Sequence, residues 1–101
     1  AVAHRLVGMK QQHETARLFL YRAAMSKTQG KDFALISALA KLVGSETGLS
    51  SSLSSAMIHG AKGYVTEFEV ERNVRDAVGG LVYSGTSDIQ RNIIARHLGV
   101  G

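Results

Sequence analysis

The stretch from Asp32 to Gly60, DFALISALAKLVGSETGLSSSLSSAMIHG, decides the fold. Within it Leu35, Leu39, Leu42, Glu46, Leu49, Leu53 and Met57 recur at spacings of four and three, which places them on one face of a helix. Asp32 is a residue type that caps helix N-termini, and Gly60 one that stops them. The serine run from Ser50 to Ser55 resembles a linker in composition, yet Leu49, Leu53 and Met57 carry the period straight through it. The opposite face carries Ser37, Gly44, Gly48, Ser51 and Ser55, small residues that would let a neighbouring backbone approach closely.

Working outward, Val2, Leu6, Met9, His13, Ala16, Leu20 and Ala23 show the same spacing, so a first long helix should end near Gly30. Two long helices joined by Thr28 to Lys31 form an antiparallel hairpin. Downstream, Gly60-Ala61-Lys62-Gly63 reads as a tight loop, and Thr66 with Glu69 as a capping box opening a short helix that Gly79-Gly80 ends. Ser87 with Gln90 reads as a second capping box before the amphipathic run Ile89, Ile93, Ile94 and Leu98, with Gly99 as the stop. The absence of Pro fits this all-α reading: an up-and-down helical bundle, incomplete, forming one domain over residues 1–101.

Composition narrows the functional classes. A 45% hydrophobic, 20% charged chain of 101 residues is that of a soluble globular domain with one modest core. With no Cys, thiolate metal sites, disulfides and cysteine nucleophiles are excluded. The net charge of +4 is spread from Arg5 to Arg96 without aromatic interleaving, which argues against nucleic acid. No apolar run approaches the roughly 20 residues that cross a bilayer, so no membrane role is expected. His4, His13, His59 and His97 are too scattered to form a metal motif. Glu67, Glu69 and Glu71 do not share a helical face, and Arg72 and Arg75 offer them partners, so a solvated, salt-bridged surface is the expected reading.

The most informative local feature is Gly85-Thr86-Ser87. A small-residue turn at a helix start leaves N–H groups and hydroxyls at the positive end of the dipole, where an anion or a polar cofactor can sit. Gly60-Ala61-Lys62-Gly63 lacks the GxGxxG spacing and follows a helix, which excludes a Rossmann dinucleotide turn.

Several segments in fixed order are similar to the acyl-CoA dehydrogenase C-terminal signature. They are Ile58-His59-Gly60-Ala61-Lys62-Gly63-Tyr64, Val70-Glu71-Arg72 with Arg75-Asp76-Ala77, Tyr83-Ser84-Gly85-Thr86-Ser87-Asp88-Ile89-Gln90-Arg91 and Ile94-Ala95-Arg96. The long helices upstream, with the Ala40-Lys41 pair, extend the resemblance over essentially the whole chain. It implies the C-terminal part of a four-helix bundle whose first helix precedes these residues, within a homotetrameric flavoenzyme that α,β-dehydrogenates an acyl thioester on coenzyme A or an acyl carrier protein. FAD is the implied cofactor and an electron-transferring flavoprotein the implied acceptor, in the cytoplasm or a mitochondrial matrix. By the same resemblance Met57, Ile58, His59, Gly60 and Ala61 approach the FAD of the adjoining subunit, Thr86, Ser87 and Asp88 contact that of their own, and Tyr83 and Gly85 line the thioester pocket. His59, Ala61 and Lys62 depart from the usual residues of the glycine loop.

One departure bears on chemistry. The residue before the Gly-Thr pair, a glutamate base in many members, is Ser84 here. A serine hydroxyl has no basic form near neutral pH and cannot substitute for a carboxylate. Three readings follow: the carboxylate lies on the preceding bundle helix, the flavin serves oxygen chemistry as in monooxygenase-like branches, or the chain is a non-catalytic assembly module. On its own the chain is expected to be inactive and, through its apolar stripes, prone to self-association.

Overall fold

The structure, a computed structural model, describes every residue from Ala1 to Gly101. It is helical throughout: α1 (Val2–Thr28), α2 (Ala34–His59), the single turn α3 (Ala61–Tyr64), a 3-10 turn (Thr66–Phe68), α4 (Val70–Gly80) and α5 (Ser87–Leu98). The two long helices and the last two come from the expected sequence patterns. Helix α1 stops where Gly30, at φ 69°, donates its N–H to Lys27 O while Lys31 donates to Ser26 O. This pair of bonds satisfies carbonyls that the helix end would otherwise orphan. Asp32 Oδ1 accepts the Ala34 N–H at 3.0 Å, so the acid does serve the start of α2, although Phe33 is the flanking residue.

Helix α2 is the hub. It touches α1, α3, α4 and α5, whereas α1 touches α2 alone and α4 and α5 do not pack on each other. The core is correspondingly thin: the buried hydrophobic residues are Ile36 and Ala38, both on α2. Side chains on α1 facing α2 include Met9, Ala16, Phe19 and Ala23, partly covered, while Val2, Leu6 and Leu20 of the expected stripe are exposed. The seam is thus rotated relative to the expected face.

Four expectations need correction. The small-residue face of α2 does not admit a neighbouring backbone within this chain, since Gly44 and Gly48 are exposed and a Cβ at either would meet nothing within 4 Å. Between Gly60 and Tyr64 the loop contains a helical turn. There Gly63 lies so close to α2 that a Cβ would fall 2.2 Å from Ala56 O, so the glycine is demanded by close approach. Thr66 and Glu69 form no capping box: Glu69 itself adopts φ 60° and precedes α4 with no side-chain cap. The cap of α5 is Thr86, not Ser87, because Thr86 Oγ1 accepts the Ile89 N–H at 3.1 Å. Ser87 becomes the first helical residue, and Gln90 turns inward and is buried instead of reaching back to close a box.

Elsewhere the charged face behaves as expected. Glu71 accepts two bonds from Arg75 at 2.7 and 3.1 Å, and Arg72 lies within 4.0 Å of Glu69 and 3.7 Å of Asp76. Glu46, at the edge of its stripe, is half exposed and meets Arg91 of α5. No helix is long and apolar enough to cross a membrane.

Two substitutions test this account in urea titrations. Gly63→Ala should destabilise the protein by about 1–3 kcal/mol through overpacking against α2. Thr86→Ala should cost about 1 kcal/mol through loss of the cap, whereas Ser87→Ala should be neutral or slightly stabilising. A larger loss at Ser87 than at Thr86 would restore the capping box read from the sequence.

Candidate functional site

The turn between α4 and α5 is built from the end of α4 outward. Past Gly80 the chain tightens, with Val82 and Tyr83 N–H groups both donating to Gly79 O at 2.9 and 3.0 Å. Ser84 at φ 56° and Gly85 at φ 93° then reverse its direction. The reversal is closed by the Ser87 N–H, which donates to Leu81 O at 3.1 Å. A left-handed conformation costs a non-glycine residue about 1–3 kcal/mol and persists only where its surroundings impose it.

Lys41 of α2 bonds the chain on both sides of this reversal. Its Nζ donates to Gly80 O at 2.5 Å, to Ser45 Oγ at 3.1 Å and to Gly85 O at 3.3 Å, and it lies 5.7 Å from the centre of the Tyr83 ring. Sequence reasoning noted Lys41 only as one of a residue pair. Its signal was available, since it is the only Lys or Arg in α2 and interrupts an Ala- and Leu-rich segment.

Around this anchor the predicted residues fall into place unevenly. Tyr83, 62% exposed, and Ser84, Thr86 and Asp88 open to solvent, while Gly85 and Ser87 are partly covered. The Ser87 hydroxyl oxygen is buried with no hydrogen-bond partner. Thr86, exposed with its hydroxyl at the positive end of α5, offers the kind of polar edge that a flavin's phosphate or ring could meet, so the segment fits the implied cofactor. Gln90 stands close behind, its Nε2 2.6 Å from where a Cβ on Gly85 would sit, and the φ of 93° itself favours glycine at residue 85. The sequence had assigned Gln90 to capping and missed this role.

The second predicted set lies elsewhere. Met57, His59, Gly60 and Ala61 are exposed at the far end of α2, with Ile58 partly covered. At 1.5 Å rise per residue, Lys41 and His59 are about 27 Å apart along the helix. The structure therefore does not bring residues 57–61 together with Tyr83–Asp88 in one chain. His59 Nδ1–H donates to Ser55 O at 2.7 Å, which fixes the ring against its own helix and leaves Nε2 outward.

No carboxylate near the turn is free to act as a strong base. Glu46 and Asp88 both face Arg91, with Asp88 Oδ1 3.3 Å from its guanidinium. Further off, the hydrogen bond from Arg75 holds the Glu71 carboxyl below the usual carboxylate range, which weakens it as a proton acceptor. No group of three His, Asp or Glu residues stands close enough to hold a metal ion.

Residues 1–99 match the family described as "Acyl-CoA dehydrogenase, C-terminal domain". The chain is 45% identical over 98 residues to the L-prolyl-[peptidyl-carrier protein] dehydrogenase of Pseudomonas fluorescens, covering 97% of this chain and 26% of that protein. It is also 45% identical over 97 residues to the mitochondrial short-chain specific acyl-CoA dehydrogenase of Rattus norvegicus, covering 96% of this chain and 24% of that one. Among solved structures, an FAD-dependent dehydrogenase superposes with a TM-score of 0.95 at 44% identity, covering 100% of this chain and 27% of its own. The chain thus spans about a quarter of the length of the relatives it matches. On its helical order, its Tyr83–Arg91 segment and these matches, the chain belongs to the acyl-CoA dehydrogenase family and corresponds to that family's C-terminal domain.

Proposed function

We propose that this chain is the C-terminal bundle part of an FAD-dependent enzyme that α,β-dehydrogenates a small acyl group held as a thioester. The observation that carries the reading is the Tyr83–Asp88 turn, bonded by Lys41 and presenting Thr86 and Asp88 to solvent at the start of α5, in a chain of this family. FAD, when bound, supplies the acceptor for the hydride that leaves the acyl β-carbon. Thr86, Ser87 and Asp88 would hold the FAD of their own subunit through hydroxyls and the α5 N-terminus. Tyr83 and Gly85 would line the thioester, where the absence of a side chain at residue 85 leaves room for the acyl chain.

Met57, Ile58, His59, Gly60 and Ala61 would meet the FAD of an adjoining subunit. The separation of about 27 Å along α2 favours this division between two subunits, because one end of the helix serves each set. It also favours a homo-oligomer, a tetramer in the intact protein, and an electron-transferring flavoprotein as acceptor.

Ser84 does not remove the α-proton. With Glu46 and Asp88 engaged by Arg91, the carboxylate that takes the proton lies outside these residues, on the preceding bundle helix. The names of the relatives favour two carriers equally, coenzyme A and a carrier protein. A small acyl group is common to both.

The intact protein should show visible flavin absorbance that bleaches anaerobically on mixing with its acyl thioester. Comparing acyl-CoA with the same acyl group on a pantetheinylated carrier protein identifies the carrier. A protein without flavin would sink the reading, and flavin that stays oxidised with every saturated thioester would redirect it to oxygen chemistry. Ser84→Gly, which keeps the left-handed turn, should leave kcat within about twofold, since no proton passes through the hydroxyl. A hundredfold loss would place the hydroxyl in the chemistry.

A further inference from the structure

The geometry points to Lys41 as a positioning residue for the thioester site, one ammonium group that holds the substrate-lining turn in its left-handed conformation. This rests on the function proposed above. An ammonium has three donors, and here each has an acceptor on a different part of the molecule: Ser45 Oγ on α2, Gly80 O at the end of α4 and Gly85 O in the turn itself. Helices α4 and α5 do not pack on one another, so beyond its own backbone bonds and Gln90 the segment between them is held from α2. Ser84 is exposed, and Tyr83, though it leans on Gly79 and Gly80, is mostly in solvent.

Two features make the charge important. Gly80 O is among the last carbonyls of α4, at the negative end of its dipole, where a cation is favoured. Gly85 O would otherwise be free to rotate with its peptide, because the conformation at φ 93° is one that glycine leaves easily. The Lys41 ammonium thus fixes which way the Gly85 carbonyl points, and with it the side of the turn that faces the acyl group. It also lies against the Tyr83 ring at 5.7 Å, within cation–π range, so ring and carbonyl are set by one charge. A neutral residue at position 41 could pack its stem on α2 but could not satisfy all three acceptors at once.

The test uses the intact protein with its flavin. Lys41→Met keeps the aliphatic stem and removes the charge. Expected are amide exchange at Val82, Tyr83 and Ser87 at least tenfold faster than in the wild type, flavin content unchanged, and KM for the acyl thioester raised about tenfold while kcat changes less than threefold. A purely structural lysine would lower Tm without this split and without local loss of protection at the turn. If K41M does not retain flavin, Lys41→Gln is read in the same way, and failure of both variants to fold makes Lys41 a structural staple and overturns the positioning role. Wild-type KM or wild-type exchange in a flavin-loaded variant also overturns it, leaving the function proposed above intact. Absence of flavin from the wild-type protein overturns that function, and this proposal with it.

Discussion

Much of the molecule depends on how one cation on α2 meets the ends of two helices that do not touch each other. Lys41 bonds the carbonyl end of α4 and the turn leading into α5, and α2 supplies the surface on which both helices rest. A lysine is suited to this place. Its ammonium is a compact charge with three rotatable donors, whereas the planar fork of an arginine would not reach three acceptors arranged around a point. The ammonium is partly buried but keeps all its donors satisfied, the condition under which such a group stabilises instead of costing desolvation.

The thinness of the core follows from the same hub arrangement. Helices that all lean on α2 share one narrow seam, and only Ile36 and Ala38 become buried hydrophobic residues. Apolar side chains of α1 such as Leu18, Tyr21 and Met25 remain in solvent, at 67%, 55% and 62% exposure. Stripes of this extent are unusual on a self-sufficient surface, and the relatives matched here are about four times as long. Stability of the isolated chain therefore rests on helix caps, the seam along α2 and the Lys41 contact. Surface ion pairs such as Lys10–Glu14 add little to it.

Chemically, the turn is built to present backbone and hydroxyl groups, not a base. Arg91 engages both carboxylates that α2 and α5 bring towards this region, Glu46 across to α2 and Asp88 within α5. The departure at Ser84 is consistent with that division of labour. Residue 84 must tolerate φ near 56°, a conformation in which a short polar side chain is less strained than a branched one. A serine serves the turn, and proton abstraction is left to a group elsewhere.

The amino-acid sequence by itself determined the helical class, the approximate extents of the four main helices, the stop signals at Gly30, Gly80 and Gly99, and family membership, because these depend on local periodicity and on linked short motifs. It also marked Tyr83–Asp88 and Met57–Ala61 as distinct segments. Tertiary structure alone decided which side chains of α1 are covered: Phe19 is partly buried and its equally apolar neighbour Leu20 exposed. It moved the α5 cap from Ser87 to Thr86, two residues with the same capping chemistry, because the backbone of the preceding turn determines which of them is non-helical. It replaced the Thr66–Glu69 box with a left-handed Glu69, and it gave Gly63 a reason in the carbonyl of Ala56. Above all it gave Lys41 its partners. Residues 41, 80 and 85 are far apart in the chain, and no local pattern records that one charge closes the gap between them.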